Sequence, residues 1–266
     1  MFHRSLIKQC GLPLILILGF YVRAVAVDHN NVDAGRPLSF DDAEAVAYRE
    51  MSIESGISGI SPNEDRAGIG LSTEFLYGFA LNTHAGVDVN AAAGGRAGSS
   101  KRDFDVEDVS LNVLHNFNRE YGSVPAFSLR GDVALPTEEK DRGVEVRLRG
   151  ILSKALIQYD RLHVNLDSVV ASNPKEKERM FRPGIVLGYT KPLGYPQGFS
   201  STGLGEISVQ TPAQNGTGPI VRLGIGLRQQ VTVRSVIDMD IQSDVLGGGG
   251  APREDVRVTA GYSIGF

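Results

Sequence analysis

The chain has 266 residues, with 27 Lys and Arg against 31 Asp and Glu, 32 Gly, one Cys and no Trp. A net charge of −4 offers no basic excess for nucleic acid, and a single cysteine excludes a disulfide framework. A mean hydropathy of −0.09 excludes a bundle of membrane helices, and a glycine-rich, moderately apolar chain of this kind reads as all-β.

Arg4 and Lys8 precede an apolar run from Leu12 to Val22, and Ala24 and Ala26 follow as small residues at the two positions a signal peptidase reads. Residues 1–26 are therefore expected to be a secretory signal peptide, since the run is too short to span a hydrocarbon core of about 30 Å. Cys10 leaves with it, as do three basic residues and no acids, so the mature chain becomes more acidic. Residues 27–47 are expected as a periplasmic lead-in. Within it, Ser39 and Asp42 make a loose capping box for one helical turn from Glu44 to Ala47.

From residue 48 to 266 the pattern has a period of two, the signature of half-buried strands. A weak run lies at Glu50–Ile57. Ile69, Leu71 and Phe75 oppose Gly70, Ser72 and Glu74, and Phe79, Leu81, Ala85 and Val87 oppose Asn82, His84 and Asp88. Leu111 and Val113 alternate with Ser110 and Asn112, and Phe127, Leu129 and Val133 with Ser128, Arg130 and Asp132. Val144, Val146 and Leu148 oppose Glu145, Arg147 and Arg149, and Leu162, Val164 and Leu166 oppose His163, Asn165 and Asp167. Weaker runs at Gly184–Thr190 and Thr202–Val209 lead to three clear ones. These carry Val221 to Leu227 against Arg222 and Arg228, Val231 to Ile241 against Arg234, Asp238 and Asp240, and Val256 to Phe266 against Arg257. The count is about 12 strands, with 10 or 14 open. No gap is helix-sized, so βαβ crossovers are excluded and neighbours must be antiparallel.

Alternation does not say which face is inside. A soluble sandwich buries its apolar face, whereas a membrane barrel turns it to lipid and keeps the polar face for the lumen. Strands of about ten residues suit a tilted bilayer span better than a sandwich, and an even strand number puts both termini on one side. Connections alternate in length: Tyr77-Gly78 and Gln229-Gln230 read as tight turns, Asn90–Phe104 and Leu246–Glu254 as long loops, with Asn118–Val124 and Leu193–Phe199 longer than the alternation predicts. Aromatics gather at one set of strand ends: Tyr77 and Phe79, Phe117 and Tyr121, Tyr159, Tyr195 and Phe199, Tyr262 and Phe266. The expected fold is an antiparallel, up-and-down transmembrane β-barrel.

The alternating C-terminus, Val258 to Phe266 with Tyr262 and the terminal Phe266, resembles the assembly signal of bacterial outer-membrane barrels. More narrowly, Arg36-Pro37-Leu38-Ser39-Phe40-Asp41-Asp42-Ala43, Glu74-Phe75-Leu76-Tyr77-Gly78 and Gly131-Asp132-Val133-Ala134-Leu135-Pro136-Thr137 resemble the outer-membrane family named after the meta-pathway of phenol degradation. The resemblance would cover nearly all of the mature chain. It implies a roughly 12-stranded barrel in the outer membrane of a Gram-negative bacterium and passage of small compounds, aromatic ones among them. Outer-membrane lipid, the barrel-assembly machinery and a small solute are the partners it implies.

Chemistry is sparse. None of the five histidines has zinc spacing, and no nucleophile elbow or phosphate loop is present, so no catalytic residue, metal or cofactor is expected. His84 with Asp88 and His163 with Asp167 share strand faces, which an enzyme would use as base and orienting acid. Polar lumen neighbours satisfying one another is the simpler reading. The informative set is the predicted lining: Arg130, Arg147, Arg149, Arg222, Arg228, Arg234 and Arg257 with Glu54, Glu74, Asp88, Asp132, Glu145, Asp167, Asp238 and Asp240. Near balance of sign suggests a cross-strand ion-pair network. Four arginines on the last three strands also permit a basic stripe that would favour anions. The leading expectation is a narrow channel for small solutes. The others are a closed-lumen structural or binding barrel, a soluble β-sandwich and, last, a barrel hydrolase.

Overall fold

The computed structural model describes residues 37–62, 67–94, 104–136, 143–157, 159–194, 196–198 and 200–266. The expected signal and its cleavage residues Ala24 and Ala26 lie outside them, as do Tyr195 and Phe199. Twelve strands run in chain order: β1 Met51–Pro62, β2 Gly68–Ala80, β3 Thr83–Gly94, β4 Phe104–Asn118, β5 Ala126–Leu135, β6 Glu145–Ala155, β7 Arg161–Ala171, β8 Phe181–Pro192, β9 Ser201–Gln210, β10 Ile220–Thr232, β11 Ser235–Gly247 and β12 Glu254–Gly265. Each pairs antiparallel with its sequence neighbour, and β1 closes the sheet on β12. At that seam Met51 and Phe266 exchange backbone hydrogen bonds, 3.2 and 2.9 Å long, so the terminal Phe266 completes the ring. One closed sheet overturns the sandwich alternative, which requires two sheets packed face to face.

The alternation resolves as apolar out, polar in. On β5, Phe127 and Leu129 are exposed while Ser128, Arg130 and Asp132 are buried. Large exposed apolar side chains occur on every strand, a continuous belt far beyond the few hundred Å² that soluble monomers tolerate. Such a surface is solvated by lipid, and the chain is a transmembrane barrel. Exposed aromatics collect at the end that carries both barrel termini: Tyr48, Tyr77, Phe79, Phe117, Tyr121, Tyr159, Tyr189 and Tyr262. This is the turn end of the barrel, and the opposite one is the loop end.

Two expected turns sit elsewhere. The β2–β3 hairpin turns at Leu81-Asn82, with Asn82 at φ 55°, and β10–β11 turns at Val233-Arg234. Gly78 misled the reading for a physical reason. A Cβ there would stand 1.9 Å from the carbonyl oxygen of Ala47, so this glycine serves a close backbone approach inside the barrel.

That approach belongs to residues 37–47. Expected as a lead-in ahead of the barrel, this segment lies within it, with Leu38, Phe40 and Ala43 wholly buried. It forms no helical turn. Asp42 instead accepts a hydrogen bond from the Glu44 N–H through Oδ1 at 3.2 Å, and the N–H groups of Ser39, Asp41, Ala43 and Val46 are taken by the barrel wall.

Candidate functional site: the lumen and its N-terminal segment

The segment crosses the inner wall from β10 towards β1, held by side chains that treat it as an extra strand. Ser39 donates its N–H and hydroxyl to the Glu206 carboxylate, both at 2.6 Å. Asn165 accepts from the Asp41 N–H at 2.6 Å and donates to its carbonyl at 3.0 Å. The Ala43 N–H donates to Ser153 Oγ at 3.0 Å, and its carbonyl accepts from Asn116 at 2.7 Å and from Ser128. The Val46 N–H donates to His84 Nδ1 at 3.0 Å, which puts the ring's proton on the other nitrogen. Buried backbone groups need such partners, and strands β3 to β7 and β9 supply them.

Charge and apolar contact fix the segment further. Arg149 reaches the Ser39 carbonyl at 2.8 Å and the Asp41 carboxylate at 2.7 Å, while a second face of its guanidinium grips Asp167 at 2.7 and 2.8 Å. Asp42 pairs with Arg161 at 3.0 Å. Leu38 and Phe40 pack on Val186 and Leu204, and Phe40 stacks on His163 with centroids 5.1 Å apart. Gly188 and Gly224 leave the necessary room: a Cβ at Gly188 would sit 2.3 Å from the Phe40 ring, and one at Gly224 2.7 Å from Leu38.

Around the segment the predicted lining forms ion pairs across strands. Arg130 meets Glu74 and Asp132 at 2.9 Å, and Arg147 makes two 3.0 Å bonds to Asp132. Glu145 pairs with Arg182 at 2.6 Å. On the last strands, Arg222 binds Asp244 at 2.7 Å and Glu254 at 3.1 Å, and Arg257 binds Glu254 at 2.6 Å. Arg228 is buried opposite Asp238 in the β10–β11 register, and Asp240 is buried two pairs further along, opposite Gly226. Glu54 is buried on β1. Arg234 departs from the expectation: it stands in the β10–β11 turn, outside the wall, because the strand runs on past Gln230. The arginines expected as a basic stripe thus alternate with carboxylates. His84 and His163, considered as bases, are occupied by the segment's backbone and by Ser153.

Two cavities flank the segment on the β3–β7 side. One of about 290 Å³ lies towards the loop end among Asp88, Asn90, Ser110, Arg130 and Arg147. One of about 570 Å³ lies towards the turn end among Glu44, Asn82, Asn116, Arg119 and Arg161. Along β4 and β6 the residues between them are Asn112 and Leu114, and Arg149, Ile151 and Ser153, with Ala43 of the segment packed on Leu114 and Ile151. At the turn-end rim, burial acts to raise the pKa of Glu120. The Lys154 ammonium and the Ala155 N–H outweigh it and hold the carboxyl below its ordinary range. Among the described residues no cluster of His, Cys, Asp and Glu could hold a metal ion.

Sequence reasoning missed the segment's role and the residues that hold it. The available signals were inward apolar residues out of phase with a polar lumen, Leu114, Ile151, Val186 and Leu204, and the strand glycines that face them or the segment.

No family model and no curated protein matches the chain. Among solved structures it is similar to a COG4313 outer membrane channel from Pseudomonas putida F1, at 13% identity, with 88% of this chain and 100% of that one covered and a TM-score of 0.68. It is also similar to LpxR from Salmonella typhimurium, at 7% identity, covering 80% and 99% with a TM-score of 0.52. At these identities the likeness is one of fold: a 12-stranded barrel of the outer-membrane type.

Proposed function

We propose that the chain is an outer-membrane channel for small solutes, narrowed by its own residues 37–47. The observation that supports this best is the pair of cavities on the β3–β7 wall. One opens from each end, and between them stand the buried Asn112 and Leu114 of β4, Arg149, Ile151 and Ser153 of β6, and Ala43 of the segment. A barrel of 12 strands lies between those whose side chains fill the interior and those with a wide aqueous pore, so one short segment suffices to set its bore. The resemblance to the phenol-degradation family adds small aromatic compounds to the solutes of interest. A preference for anions has less support, because the arginines of the last strands carry carboxylate partners. Membrane lipid and the assembly machinery are partners on this reading, and Tyr262 and Phe266 are the residues proposed to signal assembly.

The test is conductance of the refolded barrel in a planar lipid bilayer, with heat-shifted gel mobility as the folding control. Discrete steps are expected. A folded barrel that passes no current would instead support a closed-lumen binding or structural barrel, a reading favoured by the complete burial of Ala43 and Ile151.

A further inference from the structure

The loop-end cavity contains an unusual pairing of arginines. Asp132 anchors two guanidinium groups at once: Arg130 through Nε at 2.9 Å, and Arg147 through Nε and Nη2 at 3.0 Å each. Both are thereby fixed in orientation, and both line the cavity. Arg130 spends Nη2 on Glu74 at 2.9 Å, yet its Nη1 is buried with no hydrogen-bond partner. The Arg147 side chain is 34% exposed. A fixed pair of guanidinium edges with unused N–H groups is the arrangement that receives a carboxylate.

The same cavity also holds acidic groups: Glu145 lines it with its carboxylate on Arg182 at 2.6 Å, and the β3–β4 side carries a less engaged one. Asp88 on β3 is 21% exposed, touches Arg130 only at 3.6 Å and accepts one long bond, 3.3 Å, from Asn112. Asn90 and Ser110 stand beside it as neutral donors and acceptors. A solute with negative charge alone would meet Asp88, and one with positive charge alone would meet the two arginines. A solute carrying both charges a few bonds apart satisfies both sides. At about 290 Å³ the space falls just below the roughly 300–1,000 Å³ of sites for drug-sized ligands, which restricts it to small molecules.

We infer that this cavity is a binding site for a small zwitterion of the α-amino-acid type. Its carboxylate lies on Arg130 and Arg147, and its ammonium group on Asp88. The inference deepens the channel reading by naming a solute class, and it can fail separately from that reading.

The experiment is isothermal titration calorimetry of the detergent-folded chain with glycine, L-alanine and L-serine. Propionate, ethylamine and glycerol serve as probes bearing one charge or none. Saturable heats are expected for the amino acids, with at least tenfold weaker binding of the other three. Arg147→Gln and Asp88→Asn should each weaken amino-acid binding tenfold or more while keeping the heat-shifted mobility of a folded barrel. Arg130 is left intact because its burial makes a folding defect the expected result of changing it. No heat with any amino acid, propionate binding as well as alanine, glycerol matching serine, or binding that survives both substitutions would each overturn the site. Conductance without binding would overturn the site and leave the channel reading standing. Binding without conductance would keep the site and turn the protein into a closed-lumen receptor.

Discussion

The two sides of the lumen solve the same problem in different ways. On β10–β12, Arg222 and Arg257 are paired within the wall by Asp244 and Glu254. On β3–β9 the wall presents amides, hydroxyls and an imidazole, Asn116, Ser128, Ser153, Asn165 and His84, whose bonds go to the backbone of residues 37–47. A self-paired wall needs no occupant, whereas these amides and hydroxyls, with Arg149, Arg161 and Glu206 beside them, find their partners in the segment. The difference shows why a segment without regular structure holds a fixed course: the wall supplies the hydrogen bonds a neighbouring strand would supply.

The largest expected effect comes from filling the space the segment uses. Gly188→Leu would drive a side chain into the Phe40 ring, whereas Gly59→Leu has nothing within 4 Å to meet. The first should unseat the segment, opening residues 37–47 to protease and raising conductance; the second should do neither. If Gly188→Leu leaves proteolysis and current unchanged, the segment is not seated with Phe40 against β8. The same geometry allows the converse test. The γ position of residue 40 lies beside the β position of 188, so Phe40→Cys with Gly188→Cys should form a disulfide that clamps the segment and reduces current until a reductant is added.

Next comes Arg149→Leu. It leaves Asp41 and Asp167 without their buried counter-charge, at a cost of about 3–5 kcal/mol in denaturant unfolding. Asn165→Ala removes two bonds to Asp41 and should cost about 1–3 kcal/mol. Arg222→Ala with Arg228→Ala acts on the other side of the lumen. There Asp244 and Glu254 would lose a cation, so the reversal potential in a salt gradient should move towards cation preference while the segment stays seated. An unchanged reversal potential would place these pairs off the conduction path.

The smallest effect belongs to the rim. Glu120 binds Lys154 in the folded chain and has a lowered pKa, so its contribution exists above the ordinary carboxylate pKa and disappears as pH falls through the lowered one. Glu120→Gln should cost about 0–1 kcal/mol at pH 7 and nothing near pH 2, measured by unfolding at both.

Much of the wall was legible from residues alone. The runs from Phe127 to Val133 and from Leu162 to Asp167 assign each side chain to the face it occupies, because a strand's period is two whatever it packs against. Turn positions were less legible. Gly78 reads as a turn residue in one dimension and is a contact with Ala47 in three. The lining arginines were identifiable, but their partners were not: Arg222 meets Glu254 only because β10, β11 and β12 lie side by side in one register.

The sequence by itself therefore determined a count of about 12 strands, their antiparallel order and the two chemically distinct faces, all consequences of local periodicity, while the closed sheet fixed the number at 12. Which face turns outward, and what fills the middle, were decided by tertiary structure. Alternation is symmetric under exchange of inside and outside; strand length, loop alternation and aromatic placement favour one orientation, and the closed barrel shows it directly, with Arg130 buried and Leu129 exposed on β5. Leu38 and Phe40 form a short apolar pair in an irregular stretch, and their partners Val186 and Leu204 lie well over a hundred residues away in the chain. No local pattern records such a contact; it exists because a closed wall brings those surfaces together around a lumen that must be filled or left wet.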